Sequence, residues 1–325
     1  MKGFEPLYQT TATQPFNPFS LLPGLLTLAP LSNIAHRTAI QGVSPLDALI
    51  LAPGLHLQQT ATELHKAEYP ACAALTTGYV FRVENPATVF FLQRIGRTGH
   101  LIDLDVSATS PSRTLPASRN AIASLAYYAA AGVTTYSAYR LYALKDPWAM
   151  VFLSNLILTR VVNFVSLRRR SELGWFGAPE PGVRSDILVL LSQDRWIRIR
   201  GATDDVKGLL SGTWLREPTT GEKFFGAVTK LLAYANVAVA GYATTAGVAT
   251  LMSMLLVNGG LLALDGLRDW PLCMYGRTMG QVGEAKRYFR RRDLAEELIK
   301  ETGRDDWAVG MGMIVKKNET VLVTM

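Results

Sequence analysis

Two long stretches of the chain are almost free of acidic residues, and they limit the possible folds more than any other feature. These stretches are residues 121–167 and 224–264, whereas residues 183–223 and 265–318 carry many charges. Charged residues make up only 18% of the chain, against roughly 25% in an average soluble domain. A bilayer core offers no solvent to a charge. The segregation of charge therefore predicts an integral membrane protein.

The apolar stretches divide into about four helices of membrane-spanning length. The first stretch gives spans at 121–143 and 148–167. The second has 41 residues. As one helix it would measure about 60 Å, twice the roughly 30 Å of a hydrocarbon core. We therefore predict two further spans, 224–242 and 246–264, with a break near 243–245.

Basic residues are distributed unequally between the two ends of the predicted helices. The two short turns contain a single one, Lys145. The opposite end is flanked by Arg113, Arg119, Arg168, Arg169, Arg170, Arg216, Lys223, Arg268 and the basic run 286–292. Basic residues favour the cytoplasmic side of a membrane. We therefore expect both termini and the 168–223 connection to be cytoplasmic, on the endoplasmic reticulum or another endomembrane.

Outside the apolar stretches, the sequence predicts strands and short helices. Residues 186–191 and 195–200 alternate as strands of a hairpin around 192–194. Thr203–Leu210 predicts a short helix with Thr203 as its N-cap. Further strands are predicted at 78–83, 88–93, 307–315 and 320–324, and a short helix at 294–302 that ends at Gly303.

These patterns predict a mainly α integral membrane protein with about four transmembrane helices as two hairpins and a composite cytoplasmic α+β part. The predicted organisation is an N-terminal cytoplasmic or interfacial segment with a β-prone part (1–118), transmembrane hairpin 1 (119–167), a cytoplasmic β-hairpin and short helix (168–223), transmembrane hairpin 2 (224–265), and a cytoplasmic helix and strands (266–325).

Several chemistries lack their signatures. There is no phosphate-binding GxxxxGK[ST] motif and no acidic cluster of the magnesium-dependent prenyl-transfer type. The four histidines show no metal-ligand spacing, and the two cysteines are far apart. We therefore predict no metal and no cofactor. The chain has a net charge of +7, and its basic residues lie mainly beside the apolar stretches. Basic residues at such positions favour contact with lipid headgroups over contact with nucleic acid.

Polar side chains inside the predicted spans are the candidate site. Asn155, Thr159, Asn163 and Ser166 share one helical face, beside Arg160. One interpretation is packing between helices. The other is a polar, aromatic-lined cavity, in which intramembrane charges are functional. The second interpretation makes Asp265, Arg160 and Lys230 the candidate catalytic residues, and it makes the candidate substrate-binding residues Asn155, Asn163, Tyr127, Tyr128 and Tyr234.

Three segments resemble a group of fungal multi-span membrane proteins, most of them without an assigned activity. The segments are LTRVVNFVSLRRRSELGWFGAPEPGVRSD, LVLLSQDRWIRIRGATDDVKGLLSGTWL and RRRDLAEELIKETGRDDWAVGMGMI. The resemblance covers roughly residues 150–315. Some polytopic proteins of fungal secondary metabolism are terpene cyclases that act on prenylated aromatic compounds. The resemblance transfers no catalytic residues.

What the resemblance implies is a membrane-bound, metal-independent cyclase or isomerase that acts by acid catalysis on a lipophilic meroterpenoid. Such an enzyme needs a proton donor and aromatic faces that stabilise a carbocation. The predicted spans contain no central Asp or Glu. The alternative is a non-enzymatic scaffold or lipid-binding protein, or a subunit of an oligomeric channel or transporter. Its basic clusters would contact anionic membrane lipid.

Overall fold

A computed structural model describes residues 18–59, 64, 66–108, 121–266 and 270–315, with the side chains of 121–124 and 265 excepted. These residues form an α/β fold with ten α-helices and eight strands in two layers. The sheet layer contains all eight strands and four short helices. The helical layer contains four long helices, the two short helices at 22–27 and 33–41, and the segment that follows them.

The eight strands come from three separate parts of the sequence. β1 (Ala71–Ala74), β2 (Val80–Arg82) and β3 (His100–Ala108) precede the long helices. β4 (Arg184–Leu191) and β5 (Arg195–Ala202) lie between them. β6 (Leu272–Met274), β7 (Arg277–Gln281) and β8 (Lys286–Arg287) follow them. Both pairs of long helices are therefore insertions into one sheet.

The sheet is mixed, with strand order β2-β1-β4-β5-β3-β7-β6, and β8 also pairs with β3. Only the β3–β5 pair is parallel among the described strands. Alternate side chains of β4 face opposite ways. Ile187 and Val189 pack with α3 (Pro86–Ile95) and α6 (Thr203–Leu210). Leu188 faces α9 (Arg291–Thr302) and α10 (Asp306–Gly310).

Four long helices dominate the helical layer. They are α4 (Ala121–Ala143), α5 (Pro147–Arg170), α7 (Thr220–Ala240) and α8 (Thr245–Gly266). α1 (Leu22–Thr27) packs on α7 and α8, and α2 (Asn33–Gln41) packs on α8 and on β6. Arg94 of α3 donates to the Gly266 carbonyl oxygen, so this end of α8 adjoins the sheet layer. We call it the proximal end, and we call the end with the two short turns the distal end.

Buried Asp146 joins the two distal turns. It is the N-cap of α5, where its Oδ1 accepts from the Ala149 amide at 3.0 Å. Its Oδ2 accepts from the amide and the hydroxyl of Thr244, the residue before α8, at 2.8 and 2.7 Å. Charge-assisted hydrogen bonds of this kind are stronger than neutral ones. One carboxylate therefore fixes both helix hairpins to each other.

The predicted fold class, mainly α with about four transmembrane helices, is wrong. The structure has an eight-stranded sheet, and two of the described helices, Pro147–Arg170 and Thr245–Leu264, are long and apolar enough to cross a membrane. The other two long helices are more polar than these two: α4 is rich in Tyr, Ser and Thr, and α7 contains Glu222, Lys223 and Lys230. Several strands, such as β8 with two residues, are too short to show an alternating pattern.

Most predicted elements outside the helical layer are present, but two predicted strands are helices. Residues 88–93 lie in α3, because the Asn85 side chain accepts from the Ala87 and Thr88 amides and Pro86 occupies the first helical position. Residues 307–315 include α10, which is anchored by buried Trp307. The N-cap of α6 is Ala202 rather than Thr203. The predicted strand 320–324 lies outside the described residues.

Candidate functional site

An irregular segment lies between the long helices. Residues 42–59 contain two short 3₁₀ turns, Pro45–Leu49 and Leu55–Leu57. Ile50 and Leu51 are completely buried. Buried backbone outside regular structure leaves carbonyl groups that need donors. This segment therefore explains why apolar helices around it carry polar side chains.

Three helix side chains supply these donors at intervals of four residues along the segment. Arg160 Nε donates to the carbonyl oxygen of Asp47 at 2.7 Å. Asn258 Nδ2 donates to that of Leu51 at 2.9 Å. Asn163 Nδ2 donates to that of Leu55 at 2.8 Å. No pattern in the sequence indicated this backbone-binding role of the polar residues.

The side chain of Asp47 is the centre of a charged cluster, which we call the Asp47 cluster (Arg37, Asp47, Tyr127 and Arg160). Its Oδ1 accepts from Arg37 Nη1 at 3.2 Å and from the Tyr127 hydroxyl at 2.9 Å. The Ser44 amide donates to Oδ2 at 2.7 Å. Arg160 Nη2 lies 4.0 Å from Oδ1. The Arg37 guanidinium also stacks over the Tyr127 ring, 4.3 Å from its centroid.

A second polar chain joins the 42–59 segment to the proximal end of α5. Gln59 donates to Asn163 Oδ1 at 2.8 Å and accepts from the Ser166 hydroxyl at 3.1 Å and from Arg170 Nη1 at 3.2 Å. Arg170 Nε in turn donates to the Arg216 carbonyl oxygen at 2.9 Å. Arg170, which was expected to face the cytoplasm with its neighbours, is therefore an internal residue.

The structure brings together some of the predicted site residues. Arg160 and Tyr127 meet in the Asp47 cluster. Asn163 binds the irregular segment, and Asn155 donates to Asn236 on α7 at 2.9 Å. Tyr128 and Tyr234 are about half or more exposed on the outside of the helical layer.

The three predicted catalytic residues have different environments. α5 and α7 are antiparallel, because Asn155 contacts Asn236 while Trp148 contacts Tyr242. Arg160 and Lys230 therefore lie at about the same level. However, Arg160 is buried against Asp47 whereas Lys230 faces outward. Asp265 is near the proximal end of α8, and its side chain is outside the described set.

Asp47 is an acidic residue of the site that was not among the residues predicted from the sequence. Asp47 is not part of a predicted span, because it belongs to the 42–59 segment, which packs between the long helices. A signal was present, since Asp47 is the single acidic residue between positions 6 and 62 and follows Ser44 and Pro45 in an otherwise apolar region. A lone acid in such a context indicates either a cap or a buried partner for a base.

A second charged cluster lies on the α9 face of the sheet layer. Arg198 donates to Asp186 Oδ1 at 2.8 Å and to both carboxylate oxygens of Glu301 at 2.7 and 2.8 Å. Burial lowers the pKa of Arg198, but its hydrogen bonds to Asp186 and Glu301 outweigh burial and raise that pKa. The hydrogen bond from Arg198 lowers the pKa of Glu301. This cluster fastens α9 to the sheet.

The Glu301→Gln variant should therefore lose less stability than the wild type when the pH falls from 6 to 3. A carboxylate with a lowered pKa stabilises the fold above its ordinary pKa, and this contribution is lost as pH falls through the lowered value. The effect should be below about 1 kcal/mol, because half of the Glu301 side chain is exposed. Thermal unfolding from pH 6 to pH 3 measures it, and Glu284→Gln, an exposed carboxylate, is the control. Equal acid sensitivity of Glu301→Gln and wild type would contradict the prediction.

An open cavity of about 260 Å³ lies where the two layers meet. It is lined by the end of α2, the end of α5 and the β6–β7 turn, and it includes Cys273 and Arg277. Arg277 is bound to Asp205 at 2.6 Å. Burial raises the pKa of the other thiol, Cys72, so that thiol stays protonated. Within the described part of the chain, no three His, Cys, Asp or Glu side chains form a group that could hold a metal ion.

No protein-family model matches the chain, and no curated protein or solved structure matches it.

Proposed function

We propose that the protein works at a membrane, where the helical layer contacts lipid or lipophilic molecules and carries the sheet layer at the membrane surface. The single observation that supports this proposal is the exposed apolar surface of the helical layer. Its interior already contains an apolar cluster together with the buried polar side chains of Arg160, Asp47, Asn163 and Asn258, and further large apolar side chains lie exposed on its outer faces. A protein in water rarely exposes so much apolar surface in one layer.

The outward faces of α5 and α8 are the part of the helical layer that most favours contact with lipid. Length and hydropathy alone fit a buried core helix as well as a membrane helix. However, only 44% of the most apolar window of each helix is buried. The exposed large apolar side chains of the two helices are Trp148, Val151, Leu158, Val161, Val165, Leu256, Val257 and Leu264. Lipid is the environment in which such a surface is stable.

Aromatic side chains lie at both ends of the helical layer. Trp148 and Tyr242 contact each other at the distal end, with ring centroids 5.0 Å apart, and both are exposed. Exposed Phe224 and Phe225 lie near the proximal end of α7. Aromatic residues concentrate at the two interfaces of a bilayer. The 24 residues of α5 span about 36 Å, which matches the distance between those interfaces.

The basic residues near the helices also favour a membrane surface at the proximal end. Arg168, Arg169 and Lys223 are exposed there. The run 286–292, by contrast, belongs to the sheet layer, where Lys286, Arg291 and Arg292 pair with Glu297, Asp194 and Glu296. We therefore assign contacts with anionic lipid to the proximal bases and not to that run.

Membrane fractionation of matched aspartate variants tests the proposal. Val161→Asp combined with Leu256→Asp should prevent stable insertion, because each aspartate costs about 3 kcal/mol near the centre of a membrane helix. Wild type and Val282→Asp, the same substitution at an exposed position of the sheet layer, should remain in the membrane pellet after alkaline carbonate. A wild-type chain that stays monomeric in water without detergent would overturn the proposal. A soluble oligomer would assign the apolar face to other copies of the chain.

The cyclase activity remains a second candidate, because Arg160 and Tyr127 share one cluster. The acid in that cluster is Asp47, but both of its carboxylate oxygens already accept hydrogen bonds. An assay with prenylated aromatic compounds should use Lys230→Gln, which changes an exposed side chain. Loss of product with unchanged expression would favour the cyclase. Arg160 variants cannot separate catalysis from folding, because Arg160 holds the irregular segment.

A further inference from the structure

The open cavity between the two layers, which we call the junction cavity, lies at the proximal end of the helices. Its volume is about 260 Å³. Leu167 and Ser171 line it from the end of α5. The exposed residues Arg168 and Arg169 lie between these two in the chain. The junction cavity therefore adjoins the basic residues that we assign to the membrane surface.

Most of the wall of the junction cavity is apolar. Val43 follows α2, Trp214 and Leu215 precede α7, and Met274 ends β6. Apolar walls with few polar groups are typical of sites for lipophilic ligands, which usually measure about 300–1,000 Å³. The junction cavity is slightly smaller than that. It therefore fits one end of an elongated molecule rather than a whole lipid.

Arg277 is the one charged side chain among the described residues that line the junction cavity. Its Nε donates to Asp205 Oδ1 at 2.6 Å, and its Nη1 donates to the Tyr275 carbonyl oxygen at 3.4 Å. The guanidinium thus holds Asp205 through one nitrogen, although it can bind a carboxylate through two. Its Nη2 donates to no acceptor in the described part of the chain. This nitrogen is available to a ligand in the cavity.

We infer that the junction cavity binds the phosphate or carboxylate headgroup of an anionic lipid, with Arg277 as the residue that holds the headgroup. A guanidinium binds such oxyanions through strong, charge-assisted hydrogen bonds. The apolar wall contacts the adjoining part of the lipid, and the rest of the lipid chain stays in the bilayer. This inference rests on the proposed function, because membrane contact brings lipid to the proximal end. A water-soluble phosphate has the same headgroup chemistry and is the other source to distinguish.

Protection of a thiol at the cavity from alkylation tests the inference. The reporter is Ser171→Cys in a Cys273→Ser chain, because Ser171 is exposed and lines the cavity. Cys72 is buried with a raised thiol pKa and should react slowly. In an uncharged mild detergent, lysophosphatidic acid at about ten times its dissociation constant should slow alkylation by N-ethylmaleimide about tenfold, because about one site in eleven is then empty. A Val282→Cys reporter, exposed on the sheet layer, should react at an unchanged rate.

Two further ligands show which part of the lipid is recognised. Monoacylglycerol has the chain without the phosphate and should give no protection. Equal protection by monoacylglycerol would overturn the inference, because the charge of the headgroup would then not matter. Glycerol phosphate has the charge without the chain. Protection by glycerol phosphate but not by lysophosphatidic acid would keep the oxyanion site and assign it to a soluble ligand.

Variants of the ion pair make the result specific. Arg277→Gln should abolish the protection by lysophosphatidic acid, whereas Arg277→Lys, which keeps the charge, should retain part of it. Asp205→Asn removes the carboxylate that competes with the ligand, so protection should occur at a lower ligand concentration. Arg168→Gln, which removes an exposed arginine near the cavity, should respond as the wild type does. Equal protection in Arg277→Gln and in the wild type would overturn the inference.

The membrane proposal and the lipid site can fail separately. A chain that remains in the carbonate pellet but gains no protection from either phosphate would contradict the lipid site alone. A chain that is soluble and monomeric without detergent would contradict the membrane proposal. The glycerol phosphate measurement can then be repeated in buffer, where protection would leave the oxyanion site standing.

Discussion

Asp47→Leu is expected to lower the free energy of unfolding by about 3–5 kcal/mol, the usual cost of removing one partner of a buried ion pair. The substitution leaves Arg160 with a buried charge and no carboxylate beside it. It also removes the acceptor for the Tyr127 hydroxyl and for the Ser44 amide. Thermal unfolding in mild detergent measures the change.

A double substitution separates the buried charge from the other contacts of Asp47. Asp47→Leu combined with Arg160→Met should recover part of the loss, because apolar side chains can replace a buried ion pair at little cost. The recovery should stay incomplete, because the Asp47 carbonyl oxygen loses its hydrogen bond from Arg160 Nε. Glu284→Leu, a carboxylate exposed on the sheet layer, should change stability by less than about 0.5 kcal/mol. If the double variant is less stable than Asp47→Leu, the cost does not arise from unpaired Arg160.

Gly247→Ala should destabilise the protein by about 3 kcal/mol, through crowding and the loss of charge-assisted hydrogen bonds. A β-carbon at this position would lie 2.2 Å from Asp146 Oδ2 and 3.1 Å from the Ala149 β-carbon. Asp146 would have to move, and its bonds from Thr244 would break. The two helix hairpins would then lose their common anchor. The free energy of unfolding is the quantity to measure.

Gly132→Ala is the matched control, since Gly132 also lies within a long helix. A β-carbon there has no neighbour within 4 Å in the described structure. Alanine should therefore stabilise α4 by about 0.5–1 kcal/mol, the ordinary gain over glycine in a helix. A further test is Asp146→Ala with Gly247→Ala, which should be no less stable than Asp146→Ala alone. Equal effects at Gly247 and Gly132 would contradict the contact with Asp146.

The positions of the four long helices were readable from the sequence. Their ends are set by local signals: Asp146 caps α5, and Thr219 and Glu222 form a capping box at the start of α7. The β4–β5 hairpin was equally local, because Gln193 and Asp194 adopt the positive φ angles of a tight turn between two alternating strands. Such elements depend on residues close to one another in the sequence, so a local sequence pattern can predict them.

The sheet as a whole was beyond the sequence. β3 pairs with β5 and β7, from which it is separated by long helices, and no local pattern specifies such partners. The wrong prediction of a strand at 88–93 has a related cause. The composition of these residues favours a strand, but the Asn85 cap and packing against the sheet stabilise a helix there. Without the sheet, the apolar helices were the strongest remaining signal, and they led to the wrong fold class.

The candidate site also has one part that the sequence determined and another part that the tertiary structure decided. By itself the sequence determined that polar side chains, among them Arg160 and Asn163, share a face of an apolar helix, because helical periodicity fixes which residues lie together. Only the tertiary structure decided what that face meets. It places the 42–59 segment there, with Asp47 beside Arg160 and with carbonyl groups that bind Arg160, Asn163 and Asn258. A buried polar group takes its role from its partner, and that partner came from a distant part of the chain.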